Sequence, residues 1–134
     1  VIVADANILI YLMAQLAQSD LALQAYQRDP DWVAPDIWRH EFANVLVTFV
    51  RTGALDLHRA IRLMEEAEEA MDRHTFSMDL RESMALANRL GLSAYDAQYV
   101  LLAQNLGVLC VTEDQRILAR AKGTAVSLRQ FCMA

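Results

Sequence analysis

Apolar positions follow two alternating rhythms along this chain, short continuous runs and stripes at helical spacing. Val1-Ile2-Val3 is a β-branched run and reads as a strand. Residues 7–16 (Asn7 to Leu16) and 21–28 carry helical spacing, and the turn-like Asp29-Pro30-Asp31 leads into a second strand, Trp32-Val33-Ala34. Pro35-Asp36 opens a helix predicted to run to about Arg51 and to stop near Gly53. Asp56 caps another, LHRAIRLMEEAEEAMDR, whose apolar stripe is Leu57, Ile61, Met64, Ala67 and Met71. Glu65, Glu66 and Glu69 fall mostly off that stripe and read as a solvated face. Further strands are predicted at His74–Met78, Val108–Val111 and Thr124–Val126. Helices are predicted at Leu80–Leu90, Ser93–Leu106 and Asp114–Lys122, closed by Gly91, Gly107 and Gly123, with a short final helix after Ser127. Strands alternating with helices predict an α/β domain with a parallel sheet. No repeat, low-complexity segment or linker interrupts the pattern, so residues 1–134 read as a single domain.

Composition narrows this picture. With 134 residues, 55% of them hydrophobic, the chain can bury a full core without staples. No apolar run is long enough to span a bilayer, and the start reads as a strand rather than a signal peptide, so a cytoplasmic protein is expected. Cys110 and Cys132 have no CxxC spacing and read as free thiols in a reducing compartment. His40, His58 and His74 are scattered and show no zinc-ligand spacing. The net charge of −5 weighs against a general nucleic-acid binder. It leaves room for acids gathered on a metal while a few Arg meet phosphate.

Four acids interrupt the apolar pattern. Asp5 ends the first strand in VIVADANILI, and Asp114 follows the fourth in VLCVTED. Ligands of open parallel sheets bind beyond the carboxyl ends of the strands, where strand order reverses, so neighbouring strands there would turn both acids into one crevice. Glu41 sits at the edge of the stripe Trp38, Phe42, Val45 and Phe49, and Asp96 shares a face with Val100 and Ala103. Both therefore point partly inward, where an unpaired charge is costly. Each also has a structural explanation. Asp5 or Asn7 could cap the next helix, Ser93 and Asp96 have capping-box spacing, and Thr112 or Asp114 could cap ILARA. Glu41 could bond an Arg or a backbone group.

Taken together the acids suggest more. Carboxylates gathered in one place raise each other's pKa, and a cation among them relieves the repulsion. Oxygen-only ligation without His or Cys selects a hard ion, Mg²⁺ or Mn²⁺. Such an ion eases deprotonation of water and stabilises charge on a phosphate, which implies phosphodiester hydrolysis.

Four stretches, VIVADANILIYL, PDIWRHEFANVL, LSAYDAQYVLLAQ and VLCVTEDQRILARA, occur in order and span most of the chain. In them the sequence resembles the PIN domain family, most closely the VapC-type toxin ribonucleases of bacterial toxin–antitoxin pairs. The resemblance implies an α/β/α sandwich with a five-stranded parallel sheet in order 3-2-1-4-5. It implies an acidic quartet, Asp5, Glu41, Asp96 and Asp114, holding one or two divalent ions. Asn7 and Thr112 occupy places where the family often has a polar residue orienting an acid or a water; many relatives have Ser or Thr at the position of Asn7. The resemblance also implies homodimers, an RNA substrate, and silencing by an antitoxin that covers the groove.

Of the 12 basic residues nearly all are Arg. Arg116 and Arg120, one helical turn apart after Asp114, could touch an RNA backbone or lie on the surface, and Arg39 beside Glu41 is equally open. Trp32 and Trp38 suit either a dimer interface or the core. A phosphoacceptor receiver fits poorly, because His74–Asp79 does not supply its acid and the only lysine is Lys122. A D-x-D phosphatase is opposed by Asn7. A PIN-fold RNA-processing nuclease that is not a toxin, and a non-catalytic PIN-fold binding module, remain alternatives.

Overall fold

The computed structural model describes residues 1–15 and 18–134. Five strands form one sheet: β1 (Ile2–Ala4), β2 (Trp32–Pro35), β3 (Thr75–Phe76), β4 (Cys110–Val111) and β5 (Ala125–Val126). Their order is β3-β2-β1-β4-β5 and every pairing is parallel. Parallel neighbours require crossovers, and helices supply them: α1 (Ala6–Ala14), α2 (Ser19–Arg28), α3 (Trp38–Arg51), α4 (Leu57–Ala70), α5 (Leu80–Leu90), α6 (Ala94–Leu106), α7 (Gln115–Arg120) and α8 (Leu128–Met133). The result is the α/β/α arrangement expected. Both faces of the central strands are covered, and all residues of β1 and β2 are buried.

α6 packs across β1, β2 and β4, with α5 on its outer side. That burial explains its composition, since Ala97 through Ala103 are all buried. The helix stops at Gly107, which takes a φ of +68° that a side chain would strain. Trp38 and Phe42 of α3 meet edge to face in the core. Trp32 and Trp38 are 4% and 1% exposed, so the core absorbs the tryptophans that could have served an interface.

Several boundaries differ from the sequence pattern. Pro35 does not open α3. It ends β2 opposite Phe76, and the Asp36 N–H then donates to the Phe76 carbonyl, extending the ladder across the turn. A proline suits that place because it has no N–H to give. The predicted stripe of α4 is split. Ala60, Leu63, Ala67 and Met71 are buried, whereas Leu57 and Ile61 are 59% and 49% exposed. α4 packs chiefly against α3 and α1, which seat a narrower face than periodicity implied. α7 ends at Arg120, short of Gly123. The helix predicted over residues 7–16 begins at Ala6, and its last residue, Leu16, lies outside the described residues. No helix among the described residues is long and apolar enough to cross a membrane.

Candidate active site at the β1–β4 seam

The sheet runs from β1 toward β2 on one side and toward β4 on the other, so the β1–β4 seam is its switch point. Ala4 pairs with Val111, and the Asp5 N–H donates to the Val111 carbonyl at 3.1 Å. This contact brings the ends of both strands, and the acids after them, to one edge.

Asp5 caps α1 in an unusual way. Its Oδ1 accepts the N–H of the next residue, Ala6, at 2.7 Å, and its Oδ2 accepts the Thr112 hydroxyl at 2.6 Å. The side chain is buried. Burial first, then the charges of Glu41 and Asp96, push its pKa up to about 6 against the opposing pull of Thr112 and Ala6. Thr112, wholly buried, also accepts the Asp114 N–H at 3.0 Å, so one hydroxyl ties both acids together.

Asp114 is a true cap of α7. Its Oδ1 accepts the N–H groups of Arg116 and Ile117, both at 2.9 Å, which leaves its second oxygen outside the cap. Ser93 caps α6 by accepting the Asp96 N–H at 3.0 Å. Only half of the expected capping box forms, because among the described residues no bond runs from the Ser93 N–H back to the Asp96 carboxylate. Burial raises the pKa of Asp96, the charge of Asp114 raises it further, and Ser93 and Arg116 lower it. Glu41, half-buried on α3, accepts the Tyr99 hydroxyl at 2.5 Å through Oε1. Burial raises its pKa most, the charges of Asp96 and Asp114 add to that, and only the Tyr99 bond opposes.

The four acids therefore stand within charge–charge reach of one another at one end of the sheet. Among the described residues no three His, Cys, Asp or Glu side chains converge closely enough to cage an ion directly. The donor set nonetheless fits a hard divalent cation. It is all carboxylate, it holds a surplus of negative charge that a cation relieves, and ions such as Mg²⁺ keep several waters rather than demanding an all-protein cage.

The remaining expected residues divide. Thr112 and Arg116 join the cluster, the latter close enough to act on Asp96. Asn7 is exposed at the second position of α1, with no hydrogen bond from its side chain to the acids among the described residues. Arg120 lies over Gly91, where an added Cβ would come within 2.7 Å of its guanidinium. Arg39 is drawn away into a surface ion pair with Glu68 at 2.9 Å. Tyr99 was not foreseen from the sequence. It is fully buried, and its hydroxyl is the only group seen to hold Glu41 among the described residues. Its signal was present: a tyrosine one turn after Asp96, in an otherwise apolar helix segment, needs a buried acceptor.

Comparisons with known proteins bear on the family and the fold. The profile of the family described as PIN domain matches residues 2–123. The chain is 30% identical over 119 residues to a protein named Ribonuclease VapC3 from Pyrobaculum aerophilum, covering 87% of this chain and 91% of that one. Two solved structures share the fold. A Pyrobaculum aerophilum protein, PAE2754, superposes with a TM-score of 0.77 at 24% identity, covering 98% of this chain and 93% of that one. A chain from a toxin–antitoxin complex of Klebsiella pneumoniae superposes with a TM-score of 0.70 at 22% identity, covering 96% and 98%.

Proposed function

Because this chain belongs to the PIN domain family, we propose that it is a divalent-cation-dependent endoribonuclease, the toxin of a toxin–antitoxin pair acting in the cytoplasm. The observation that carries this reading is the placement of Asp5, Glu41, Asp96 and Asp114 within charge–charge reach at the β1–β4 switch point, with three of them pushed up in pKa by burial and by neighbouring acids. A ribonuclease name on a relative that covers most of the chain supports the substrate class. The toxin–antitoxin neighbour supports a protein partner that silences the site. A homodimer is part of the same proposal.

Asp5, Asp96 and Asp114 would hold Mg²⁺ or Mn²⁺, with Glu41 either as a further ligand or as the base for the attacking water. When bound, the ion makes water easier to deprotonate and stabilises negative charge on the phosphate. The chain's own groups do the rest. Thr112 fixes the rotamer of Asp5 and the position of Asp114. Tyr99 engages Oε1 of Glu41, leaving Oε2 to accept a proton from the attacking water. A carboxylate with a raised pKa is the better base near neutral pH. Arg116, whose charge acts on Asp96, would meet a phosphate oxygen of the bound strand.

The test is cleavage of total RNA with added Mg²⁺ or Mn²⁺ by the native protein, Asp5→Asn and Asp114→Asn. Discrete internal cuts that need the metal and vanish in both variants are expected. Cleavage retained in either variant would remove that residue from the site, and no cleavage by folded, partner-free native protein would overturn the reading.

A further inference from the structure

A cleft of about 420 Å³ opens beside the acids, lined by Ile37, His40, Glu41, Asn44 and Tyr95. It joins the start of α3 to the start of α6. Glu41 is its shared wall with the acidic cluster, and Tyr95 directly precedes Asp96. Tyr95 is 61% exposed, whereas Tyr99, one turn later on the same helix, is completely buried. Packing explains Tyr99 and does not explain Tyr95. Among the described residues Tyr95 pairs with no other ring. His40 and Asn44 are exposed and flank Glu41 on α3, so they bring hydrogen-bonding edges to the same opening.

The lining selects an occupant. No Arg or Lys contributes to it and Glu41 does, which disfavours a phosphate. The polar His40, Asn44 and Glu41 disfavour an apolar helix, which would leave them unpaired. A flat, uncharged heterocycle with a polar edge suits all of the walls, because it stacks on an aromatic ring and pairs with amide and imidazole groups.

We propose that this cleft is a nucleobase subsite. An unpaired base of single-stranded RNA stacks on Tyr95, its edge meets Asn44 and His40, and the adjoining phosphate enters the carboxylate cluster past Glu41 and Asp96. This rests on the ribonuclease reading above and deepens it. The cleft sets which strand position is cut, while the acids do the chemistry.

The test uses Tyr95→Trp as an internal reporter. Trp32 and Trp38 are buried, so the new indole is the exposed one. A short single-stranded 2′-O-methyl oligoribonucleotide, which is not cleaved, should quench its fluorescence. The same strand with an abasic residue walked through it should lose the quench at one position. In cleavage assays Tyr95→Ala should raise KM about tenfold or more, the loss expected of a stacking platform, and spread the cut sites. Tyr95→Phe should keep both near native, and because the side chain is exposed all variants should melt with the native protein. If Tyr95→Ala cuts with native KM at native sites, the subsite is wrong and the ribonuclease stands. If RNA kinetics are unchanged but a copurifying protein partner is lost, the cleft binds protein and the proposal is overturned. If the native protein neither binds nor cuts RNA, the ribonuclease reading fails and the subsite with it.

Discussion

Replacing Asp5 by Asn should make the metal-free protein more stable at neutral pH, although it removes a residue of the candidate site. Asp5 is 8% exposed, and its pKa rises from 3.8 to about 6 on folding. Since the folded value is the higher one, the neutral carboxyl favours the folded state. That contribution is complete below about pH 4 and is lost as pH rises through about 6. The ionised group at pH 7.5 therefore opposes folding by about 3 kcal/mol. Asparagine keeps the acceptor for the Ala6 N–H, and its amide can donate to Thr112, whose hydroxyl has a lone pair free after taking the Asp114 N–H. A chain of 134 residues should then gain up to about 10 °C in melting temperature. The assay is thermal unfolding in EDTA at pH 4 and pH 7.5. Asp5→Asn should gain at pH 7.5 and lose that advantage at pH 4. Saturating Mg²⁺ should stabilise the native protein more than the variant, because the ion binds the folded state only. A variant less stable than native at pH 7.5 in EDTA would refute the electrostatic account of the cluster.

Three further outcomes follow from the same geometry. Thr112→Val leaves Asp5 Oδ2 and the Asp114 N–H without partners, so urea unfolding should show a loss of about 1–3 kcal/mol, and NMR titration should place the Asp5 pKa higher than in native protein. Tyr99→Phe should keep the fold while freeing Glu41; its pKa should rise, Mn²⁺ should bind more weakly by calorimetry, and kcat should fall more than KM rises. Arg116→Gln should weaken RNA binding and reduce the salt slope by about one, whereas Arg120→Gln, sited over Gly91, should change it less.

Much of the architecture was legible because it depends on local pattern. A β-branched run ending at Asp5, and the glycines after α5 and α6, mark their elements without reference to the rest of the chain. The strand order came from family resemblance rather than from periodicity, and the sheet follows it. What periodicity misread was set by distant partners. Pro35 belongs to a strand because Phe76 waits opposite, and Leu57 and Ile61 are exposed because no element among the described residues covers that side of α4. The site divides in the same way. Asp5 and Asp114 stood out as acids closing apolar runs. The bond from Tyr99 to Glu41 spans 58 positions and has no local signature beyond a tyrosine where apolar residues were due. Asp114 shows that a cap can leave a carboxylate oxygen over, since only its Oδ1 accepts the helix N–H groups.

The hydroxyl of Thr112 reaches Asp5 across 107 positions of sequence. Synthesis begins at the amino end, so β1 and Asp5 emerge long before their neighbour in the sheet exists. Until β4 is made, the Asp5 N–H has no Val111 carbonyl to bond, and Thr112 and Asp114 are not there to complete the cluster. A nascent or prematurely ended chain thus carries the acids only as scattered residues. The assembled carboxylates exist only once β4 has been inserted, which makes their appearance a late event in the life of each molecule.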